Sequence, residues 1–256
     1  MLTKNELDTC LCKWAEEYHC SDFIAADPVQ FPHRYTVKED IEISGLLTAI
    51  LSFGNRIQIL KKADELDRIM GHAPLTYVLS GKWRDDFPES DSPYQYVLSR
   101  QWEVDFPSGV TNSFYRMLSY ADVRGYFEKL YRVYAAGKTL EDALKEYKGI
   151  PMQQLCSFLG VSDRSPQKKL NMFLRWMIRT GSPVDFGIWS TMSASQLVIP
   201  LDTHVCRVAY QLGLTESASF SLNNAKKITA ALEKVFPGDP CLGDFALFGY
   251  GVNHKE

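Results

Sequence analysis

Asp202 is the residue whose position most directly suggests chemistry, because it stands at the predicted start of an amphipathic helix. Apolar residues then recur at the spacing of one helical face, at Val205, Val208, Ala209 and Leu212. Gly213 follows at the position where helices often end in a left-handed residue. A carboxylate at such a terminus is either an ordinary N-cap, for which aspartate is a preferred residue, or a group that acts on a bound molecule.

A second candidate group is the basic segment between positions 163 and 179. It contains five basic residues against one acidic residue, a local net charge of +4: Arg164, Lys168, Lys169, Arg175 and Arg179. This cluster is either a solvated helix face or a surface for a polyanion such as nucleic acid. The whole chain has a net charge of −3, which argues mildly against nucleic-acid binding, although a local patch can substitute for a global excess.

The residues around Asp202 also resemble a known family. The segment Ile199–Leu214 reads Ile-Pro-Leu-Asp-Thr-His-Val-Cys-Arg-Val-Ala-Tyr-Gln-Leu-Gly-Leu and resembles the signature of the helix-hairpin-helix superfamily of DNA glycosylases. Asp202 follows Lys168 by 34 positions, a spacing similar to that of archaeal 8-oxoguanine glycosylases and of uncharacterised bacterial relatives. The resemblance implies an all-α, helix-hairpin-helix glycosylase-like fold in which two helical domains flank a cleft.

The resemblance implies roles for a lysine and for the aspartate. In the superfamily, a lysine at the start of the hairpin's second helix attacks the sugar, and the aspartate stabilises the positive charge that develops there. These roles fall on Lys168 or Lys169 and on Asp202. Neighbouring cations favour the neutral, reactive form of a lysine amine. Lys168 ranks slightly ahead, because similar bacterial sequences have lysine at the first of the two basic positions, and the choice stays open.

Recognition of the base is implied for the C-terminal run Gly243–Tyr250, which resembles the last helix of 8-oxoguanine glycosylases. Asp244 and Phe248 are spaced by one helical turn and would hydrogen-bond and stack on an extruded base. The alternative is an ordinary terminal helix. The predicted DNA contacts are Asn55, Arg56, Arg164 and Arg175.

Two segments depart from the superfamily pattern. Leu46–Arg56 resembles its buried helix and polar turn, but the usual Gln-x-Thr is absent, so a capped helix end with a solvated arginine is an equal alternative there. The hairpin Leu159–Lys169 reads Leu-Gly-Val-Ser-Asp-Arg-Ser-Pro-Gln-Lys-Lys and lacks the familiar pair of glycines. Phosphate binding by glycine amides at the helix N-terminus is therefore weakened or rebuilt.

The apolar periodicity predicts helices along the chain and no sheet. The predicted helices cover 2–20, 39–55, 57–70, 111–118, 121–136, 151–160, 166–180, 222–236 and 240–253. Most of residues 80–110 are predicted to form loop or short helix. Trp176, Trp189 and Tyr210 are predicted core residues. The predicted domains are a six-helix domain with the hairpin, 41–178, and a second helical domain formed by 1–40 plus 179–256.

Composition excludes several classes of protein. No apolar run is long enough to span a membrane, and the N-terminus lacks a signal-peptide core, which predicts a cytoplasmic protein. The six cysteines lack a C-x-x-C pair, and only Cys241 lies where relatives carry a four-cysteine iron-sulfur loop, so no cluster is expected. His33 and His204 lack a third ligand. Neither a metal nor another cofactor is therefore predicted.

The combined expectation is a base-excision repair enzyme, a DNA glycosylase with lyase activity on an oxidised purine such as 8-oxoguanine. Its predicted partner is damaged double-stranded DNA, and it is expected to act as a monomer. Two alternatives stay open from the sequence. One is a catalytically inactive nucleic-acid-binding module that kept the fold, favoured by the altered hairpin and the acidic net charge. The other is a helical protein-interaction scaffold whose cleft is filled by side chains.

Overall fold

The residues that the structure describes fold mostly into helices, with 63% helix and 2% strand, in agreement with the predicted all-α class. The structure is a computed structural model that describes residues 3–89 and 113–253, the side chains of residues 252 and 253 excepted. The α-helices of these ranges are α1 (Lys4–Tyr18), α2 (Asp22–Ala26), α3 (Lys38–Leu51), α4 (Arg56–Ile69), α5 (Pro74–Ser80), α6 (Trp83–Asp86), α7 (Tyr120–Ala135), α8 (Leu140–Leu144), α9 (Pro151–Leu159), α10 (Lys168–Ile178), α11 (Thr203–Gln211), α12 (Leu222–Glu233) and α13 (Gly243–Asn253). Short 3-10 helices cover Pro28–Gln30, Pro32–Arg34, Ala194–Gln196 and Pro240–Leu242.

Most predicted helices are confirmed, with ends displaced by at most four residues, because capping residues in the sequence mark where helices start. Thr3, Ser119 and Thr139 each form a reciprocal capping box at the start of α1, α7 and α8. Asn55 caps α4 through its side-chain oxygen, which accepts from two backbone amides. Gly213 follows α11 with a φ of +73°, the left-handed conformation expected of it.

The prediction of a helix over 111–118 and of no sheet is wrong for the described residues of that segment. Ser113–Tyr115 (β1) and Leu118–Ser119 (β2) form a short antiparallel hairpin. Arg116 makes the turn with a left-handed φ of +55°. The two aromatic residues of β1 are buried, so tertiary packing overrides local helix preference here. The short helix α6 agrees with the loop or short helix predicted for 80–110, and residues 90–112 lie outside the described residues.

Helices α3 and α10 form the centre of the larger of two hydrophobic clusters. Every residue of α3 from Ile41 to Leu51 is buried, including the polar Glu42. Against it, α10 presents Phe173, Trp176 and Met177, each 0% exposed. Both the buried character of α3 and the core position of Trp176 are therefore confirmed.

An irregular segment, residues 179–201, joins α10 to α11 and determines where α11 begins. The Trp189 amide donates to a carbonyl of α10 at 3.0 Å, and its indole N–H donates to Glu42 Oε1 at 2.6 Å. Trp189 is 1% exposed, which confirms its predicted core position. Further along, the Ile199 amide donates to Thr229 Oγ1 of α12 at 3.1 Å. The segment is thus attached to α3 and α10 at one end and to α12 at the other, immediately before Asp202.

Helices α1, α11, α12 and α13 surround the smaller hydrophobic cluster, to which Leu11 and Ile228 belong. Gly249 lets α13 approach α1 closely, since a Cβ at this position would lie 2.3 Å from the Tyr18 ring. Tyr210 was expected in the core, but it is 52% exposed because it falls outside the buried face of α11. That expectation is wrong.

The division into a domain of 41–178 and a second domain of 1–40 plus 179–256 stays a prediction. The two hydrophobic clusters follow it in outline. The larger cluster nevertheless includes Val29, Val184 and Phe245, which lie outside 41–178.

Candidate active site

The first turn of α10 carries the lysine pair and follows a loop that reverses the chain after α9. Gly160 ends α9 in the left-handed conformation, with a φ of +70°. The loop closes at Gln167, whose φ of +46° is also left-handed. Asn171 then donates from its side-chain amide to the Pro166 carbonyl at 2.8 Å and fixes the loop to the helix. Lys168 is therefore the first residue of a well-anchored helix rather than part of a free loop.

Asp202 uses its two carboxylate oxygens for different partners. Oδ1 accepts from the Val205 amide at 2.8 Å, as an N-cap does. Oδ2 lies 3.1 Å from the Lys168 ammonium nitrogen, and the two side chains are 36% and 35% exposed. The N-cap alternative is therefore confirmed, and the same carboxylate also faces a lysine of α10, whereas its action on a bound molecule stays a prediction.

Lys169 points to a different environment from its neighbour. Its Nζ lies 4.5 Å from the centroid of the Phe53 ring, an arrangement that favours a cation–π contact. Burial lowers the pKa of Lys169. The two lysines thus differ: Lys168 contacts the Asp202 carboxylate, whereas Lys169 packs on an aromatic ring at the end of α3.

A pocket of about 300 Å³ opens beside the Lys168–Asp202 pair. This volume lies at the lower end of the range for small-molecule sites, about 300 to 1,000 Å³. Its lining comprises Phe23, Asp27, Arg56, Lys168, Met172, Arg175, Pro200, Asp202, His204, Val205, Asp244, Phe245 and Phe248. Six of the residues singled out in the sequence are thus brought together, whereas Lys169, Asn55 and Arg164 are not in this lining.

Asp244 contributes a carboxylate to the pocket, and its side chain is 16% exposed. Its partner is the Arg175 guanidinium, which also donates to Asp185 Oδ1 at 3.2 Å. Burial raises the pKa of Asp244 from 3.8 to about 6, although the Arg175 charge acts in the opposite direction. An acceptor with this pKa is ionised at neutral pH and takes up a proton in mildly acidic solution.

Arg175 has a different environment from that of an exposed DNA-contacting arginine, and its predicted DNA contact stays a prediction. The residue is 3% exposed and lies between Asp185 and Asp244, so its charge is neutralised inside the protein. Arg179, one turn later, is likewise buried and paired with Asp185 and Asp239. The predicted basic segment therefore loses two of its five charges to internal ion pairs. Arg164 is exposed and is available to a ligand.

Aromatic rings form another part of the pocket lining. The Phe248 ring lies 5.2 Å from Phe23 and 5.7 Å from Tyr18, centroid to centroid, with nearly perpendicular planes. The Arg56 guanidinium lies 5.7 Å from the Phe248 centroid. Phe245 also packs edge-on against Phe23, at 5.2 Å. One face of α13 therefore presents a carboxylate and two aromatic rings.

The polar turn after α3 has a structural role in addition to its predicted one. Asn55 Oδ1 accepts from the Ile57 amide at 2.9 Å, which is the capped helix end that the sequence allowed as an alternative. Arg56 is exposed, yet its guanidinium faces the pocket. DNA contacts by Asn55, Arg56 and Arg164 stay predictions.

Sequence reasoning did not single out Asp27 or Phe23. Asp27 caps the 3-10 helix Pro28–Gln30, accepting from the Val29 amide at 3.1 Å. Burial raises the pKa of Asp27, against the effects of this hydrogen bond and of nearby cations. An Asp-Pro pair is typical of a turn, but no local pattern indicates that the carboxylate faces a pocket, most of whose lining residues lie more than 140 positions away.

Among the described residues, no group of three or more His, Cys, Asp and Glu side chains could hold a metal ion. The same part of the chain has no helix with the length and apolar character needed to cross a bilayer.

The comparisons with known proteins establish the family. The described residues define a mostly helical protein in which a lysine and an aspartate meet at a pocket. The model of a family described as a protein of unknown function (DUF2400) matches residues 27–253, and the chain belongs to this family. Neither the curated proteins nor the solved structures gave a match to the chain.

Proposed function

We propose that the protein is a DNA glycosylase with lyase activity, which removes an oxidised purine from double-stranded DNA in base-excision repair. The observation that carries this proposal is the Lys168 nitrogen 3.1 Å from Asp202 Oδ2 beside a pocket. A nucleophilic amine and a carboxylate are the two groups that this chemistry requires, and here they come from separate helices. The resemblance of Ile199–Leu214 to helix-hairpin-helix glycosylases, and of Gly243–Tyr250 to the last helix of 8-oxoguanine glycosylases, supports the same fold and function.

The proposed reaction begins with transfer of one proton from the Lys168 ammonium to solvent. The neutral amine attacks C1′ of the sugar, and the bond from C1′ to the base breaks with its electron pair leaving on the base, which takes up a proton from solvent. The attached nitrogen then gives a proton to O4′ as the ring C1′–O4′ bond breaks, and an iminium joins Lys168 to C1′. Asp202 stabilises the positive charge at C1′ during departure of the base. Loss of a proton from C2′ of this iminium to solvent, with departure of the 3′ phosphate, would nick the strand.

Lys168 is the better candidate for the nucleophile. Its amine contacts the carboxylate and lines the pocket, whereas the Lys169 amine packs on Phe53. The lowered pKa of Lys169 would favour a neutral amine. We give the position of the Lys168 amine more weight than the lowered pKa of Lys169, because a nucleophile must first reach the reacting carbon.

In this proposal the pocket of about 300 Å³ receives one extruded base. Asp244 offers acceptor oxygens to base N–H groups, and Phe248 offers an aromatic ring one turn away. Base extrusion costs a few kcal/mol, which stacking and hydrogen bonding in a pocket offset. Arg56 at the pocket and the exposed Arg164 would contact DNA phosphates. We further propose that the protein acts as a monomer in the cytoplasm.

Borohydride trapping on a duplex with one 8-oxoguanine tests this proposal, because reduction of the iminium joins enzyme and DNA covalently. We expect an adduct with the natural protein and with Lys169→Gln, and none with Lys168→Gln. Lys169→Gln is the matched control, since it removes the adjacent amine of the same helix turn. Trapping that disappears with Lys169→Gln and persists with Lys168→Gln would assign the nucleophile to the other lysine. No adduct on any oxidised purine or on an abasic site would contradict the lyase proposal.

A second candidate is a nucleic-acid-binding protein without catalysis. It is favoured by the hairpin, which lacks the paired glycines of the superfamily, and by the net charge of −3. This alternative predicts DNA binding that weakens steeply with salt, with no adduct and no strand cleavage. Electrophoretic mobility shifts at two salt concentrations, beside the trapping reaction, separate the two candidates.

A further inference from the structure

Asp27 supplies the pocket with a carboxylate that sequence reasoning did not find. It follows α2 directly, and its Oδ1 accepts from the Val29 amide at 3.1 Å. Within the described residues, its carboxylate makes no other hydrogen bond and no ion pair. The residue lines the same pocket as Lys168, Asp202 and Asp244. A carboxylate with one unengaged oxygen therefore faces the space in which a ligand would lie.

The cations near Asp27 are already engaged elsewhere or are exposed. Lys168 is paired with Asp202, and Arg175 is held by Asp185 and Asp244. Arg56 lies over Phe248. Burial raises the pKa of Asp27, although the Val29 amide and the charges of Arg175, Arg56 and Lys168 oppose the shift. Asp27 is thus partly shielded from solvent and has no direct charged partner, and N–H donors of a ligand would pair with its unengaged oxygen.

We propose that Asp27 is a second base-recognition residue, which together with Asp244 makes the pocket selective for a purine that carries N–H donors on two separate edges. The inference rests on the proposed glycosylase function. The two carboxylates come from different parts of the chain, one before Pro28 and one in α13, so they are not two contacts from one helix.

Guanine oxidised at C8 has the required pattern of donors. Its N1–H and 2-amino group lie on one edge, and its N7–H lies on the other. Unoxidised guanine has a lone pair at N7, which a carboxylate repels, and adenine has only its amino group as a donor on these edges. A base that leaves a polar group of the pocket without a suitable partner binds much more weakly, so the pocket discriminates strongly against it. Two carboxylates therefore select against both undamaged purines.

Asp27→Asn is the variant that tests this role with little disturbance of the fold. Asparagine caps helix termini about as well as aspartate, so the hydrogen bond from Val29 is kept while the charge is removed. We expect single-turnover excision of 8-oxoguanine to fall about ten- to a hundredfold, as expected when a hydrogen bond to a charged group is lost. Borohydride trapping at a preformed abasic site needs no base recognition, so we expect it to stay within about twofold.

Asp22→Asn is the matched control, because Asp22 is an exposed aspartate five positions earlier, outside the pocket lining. It should leave both reactions unchanged. Excision by Asp27→Asn at the natural rate would overturn the inference and leave the proposed function intact. A parallel loss of abasic-site trapping would also overturn it, because Asp27 would then position the lysine rather than read the base.

Binding of the free base provides a readout that does not depend on catalysis. We expect saturation-transfer NMR to detect 8-oxoguanine with the natural protein and with Asp22→Asn, and to lose the signal with Asp27→Asn. If the natural protein forms no borohydride-trapped adduct with either the lesion or an abasic site, the proposed function fails. The NMR binding of the free base still decides in that case whether Asp27 recognises it. Equal signals from all three proteins would reject it.

Discussion

The Lys168 nitrogen lies 3.1 Å from the Asp202 carboxylate although 34 positions separate the two residues in the chain. Residues 179–201 bridge this distance, attached to α3 and α10 through Trp189 and to α12 through Ile199. Asp202 also caps α11. Its structural and electrostatic roles therefore reside in different oxygens of one side chain and can be separated by substitution.

Asp202→Asn should separate stability from chemistry. The amide oxygen keeps the cap on Val205, and the half-exposed ion pair with Lys168 is worth little, so the free energy of unfolding should change by less than about 1 kcal/mol. Loss of the negative charge should reduce trapped adduct about a hundredfold or more. Asp202→Ala should in addition lose about 1 kcal/mol of stability with the cap. Urea denaturation and borohydride trapping measure the two effects, and normal trapping by the Asn variant would contradict the electrostatic role.

The rate of base excision should decrease in acidic solution because Asp244 becomes protonated. Because burial raises its pKa to about 6, the carboxylate takes up a proton below that pH. The protonated carboxyl group then has an O–H donor where the ionised form had an acceptor oxygen. Single-turnover excision should therefore fall by about tenfold per pH unit below this pKa. Excision by Asp244→Asn should be slow at neutral pH, and its rate should lack the part of the acidic decrease that protonation of Asp244 causes. An unchanged profile in the variant would show that Asp244 does not touch the base.

The same pKa shift should appear in protein stability. Between pH 3.8 and about 6 the folded protein holds a proton on Asp244 that the unfolded chain releases, so this group favours folding at low pH. Its contribution is fully present below pH 3.8 and is lost as the pH rises through about 6. The unfolding free energy of the natural protein relative to Asp244→Asn should therefore decrease from pH 4 to pH 7. Chemical denaturation of both proteins at matched pH values measures this difference.

Arg175 should be more important for stability than any exposed arginine. Arg175→Met leaves the buried carboxylates of Asp185 and Asp244 without this charge, and a broken buried pair costs about 3 to 5 kcal/mol. Asp185 keeps Arg179 as a partner, which limits the loss. Arg132→Met is the control, because Arg132 is 74% exposed in its pair on α7 and should cost less than about 1 kcal/mol. Similar losses for both variants would argue against the buried network.

Glu42 should hold the segment before Asp202 in place. Its fully buried carboxylate accepts from the Trp189 indole at 2.6 Å, from Tyr134 at 2.8 Å and from the Leu140 amide at 3.0 Å. Glu42→Gln turns one acceptor into a donor facing these donors, which should cost about 1 to 3 kcal/mol. Hydrogen exchange at the Trp189 indole should accelerate. Glu16→Gln, at an exposed position of α1, should change neither quantity.

Helix positions could be predicted from the sequence because their determinants are local. The caps at Thr3, Ser119 and Thr139 and the one-faced spacing after Asp202 act within a few residues of each helix start. The hairpin at β1 and β2 was missed, since what stabilises it is the burial of its aromatic residues against distant parts of the chain.

The site was predicted in part, for a similar reason. Which lysine faces Asp202 depends on the direction of each side chain around α10, and neighbouring helical residues diverge by about 100°. The run of basic residues in this segment did not indicate that Arg175 and Arg179 are buried in ion pairs, because their carboxylate partners lie at scattered positions between 185 and 244. Asp27 could not be found for the same reason: only the folded chain brings it to the pocket.

The pocket draws Phe23 and Asp27 from near the start of the chain and Phe248 from its last described helix. During synthesis on a ribosome, Phe23 and Asp27 are therefore made long before the α13 residues that line the pocket with them. A chain released short of α13 would carry Lys168 and Asp202 without Asp244 or the rings that accompany it. Premature termination near the end should thus leave the Lys168 amine on an open surface with Asp27 but without the α13 side chains that would restrict which molecules reach it.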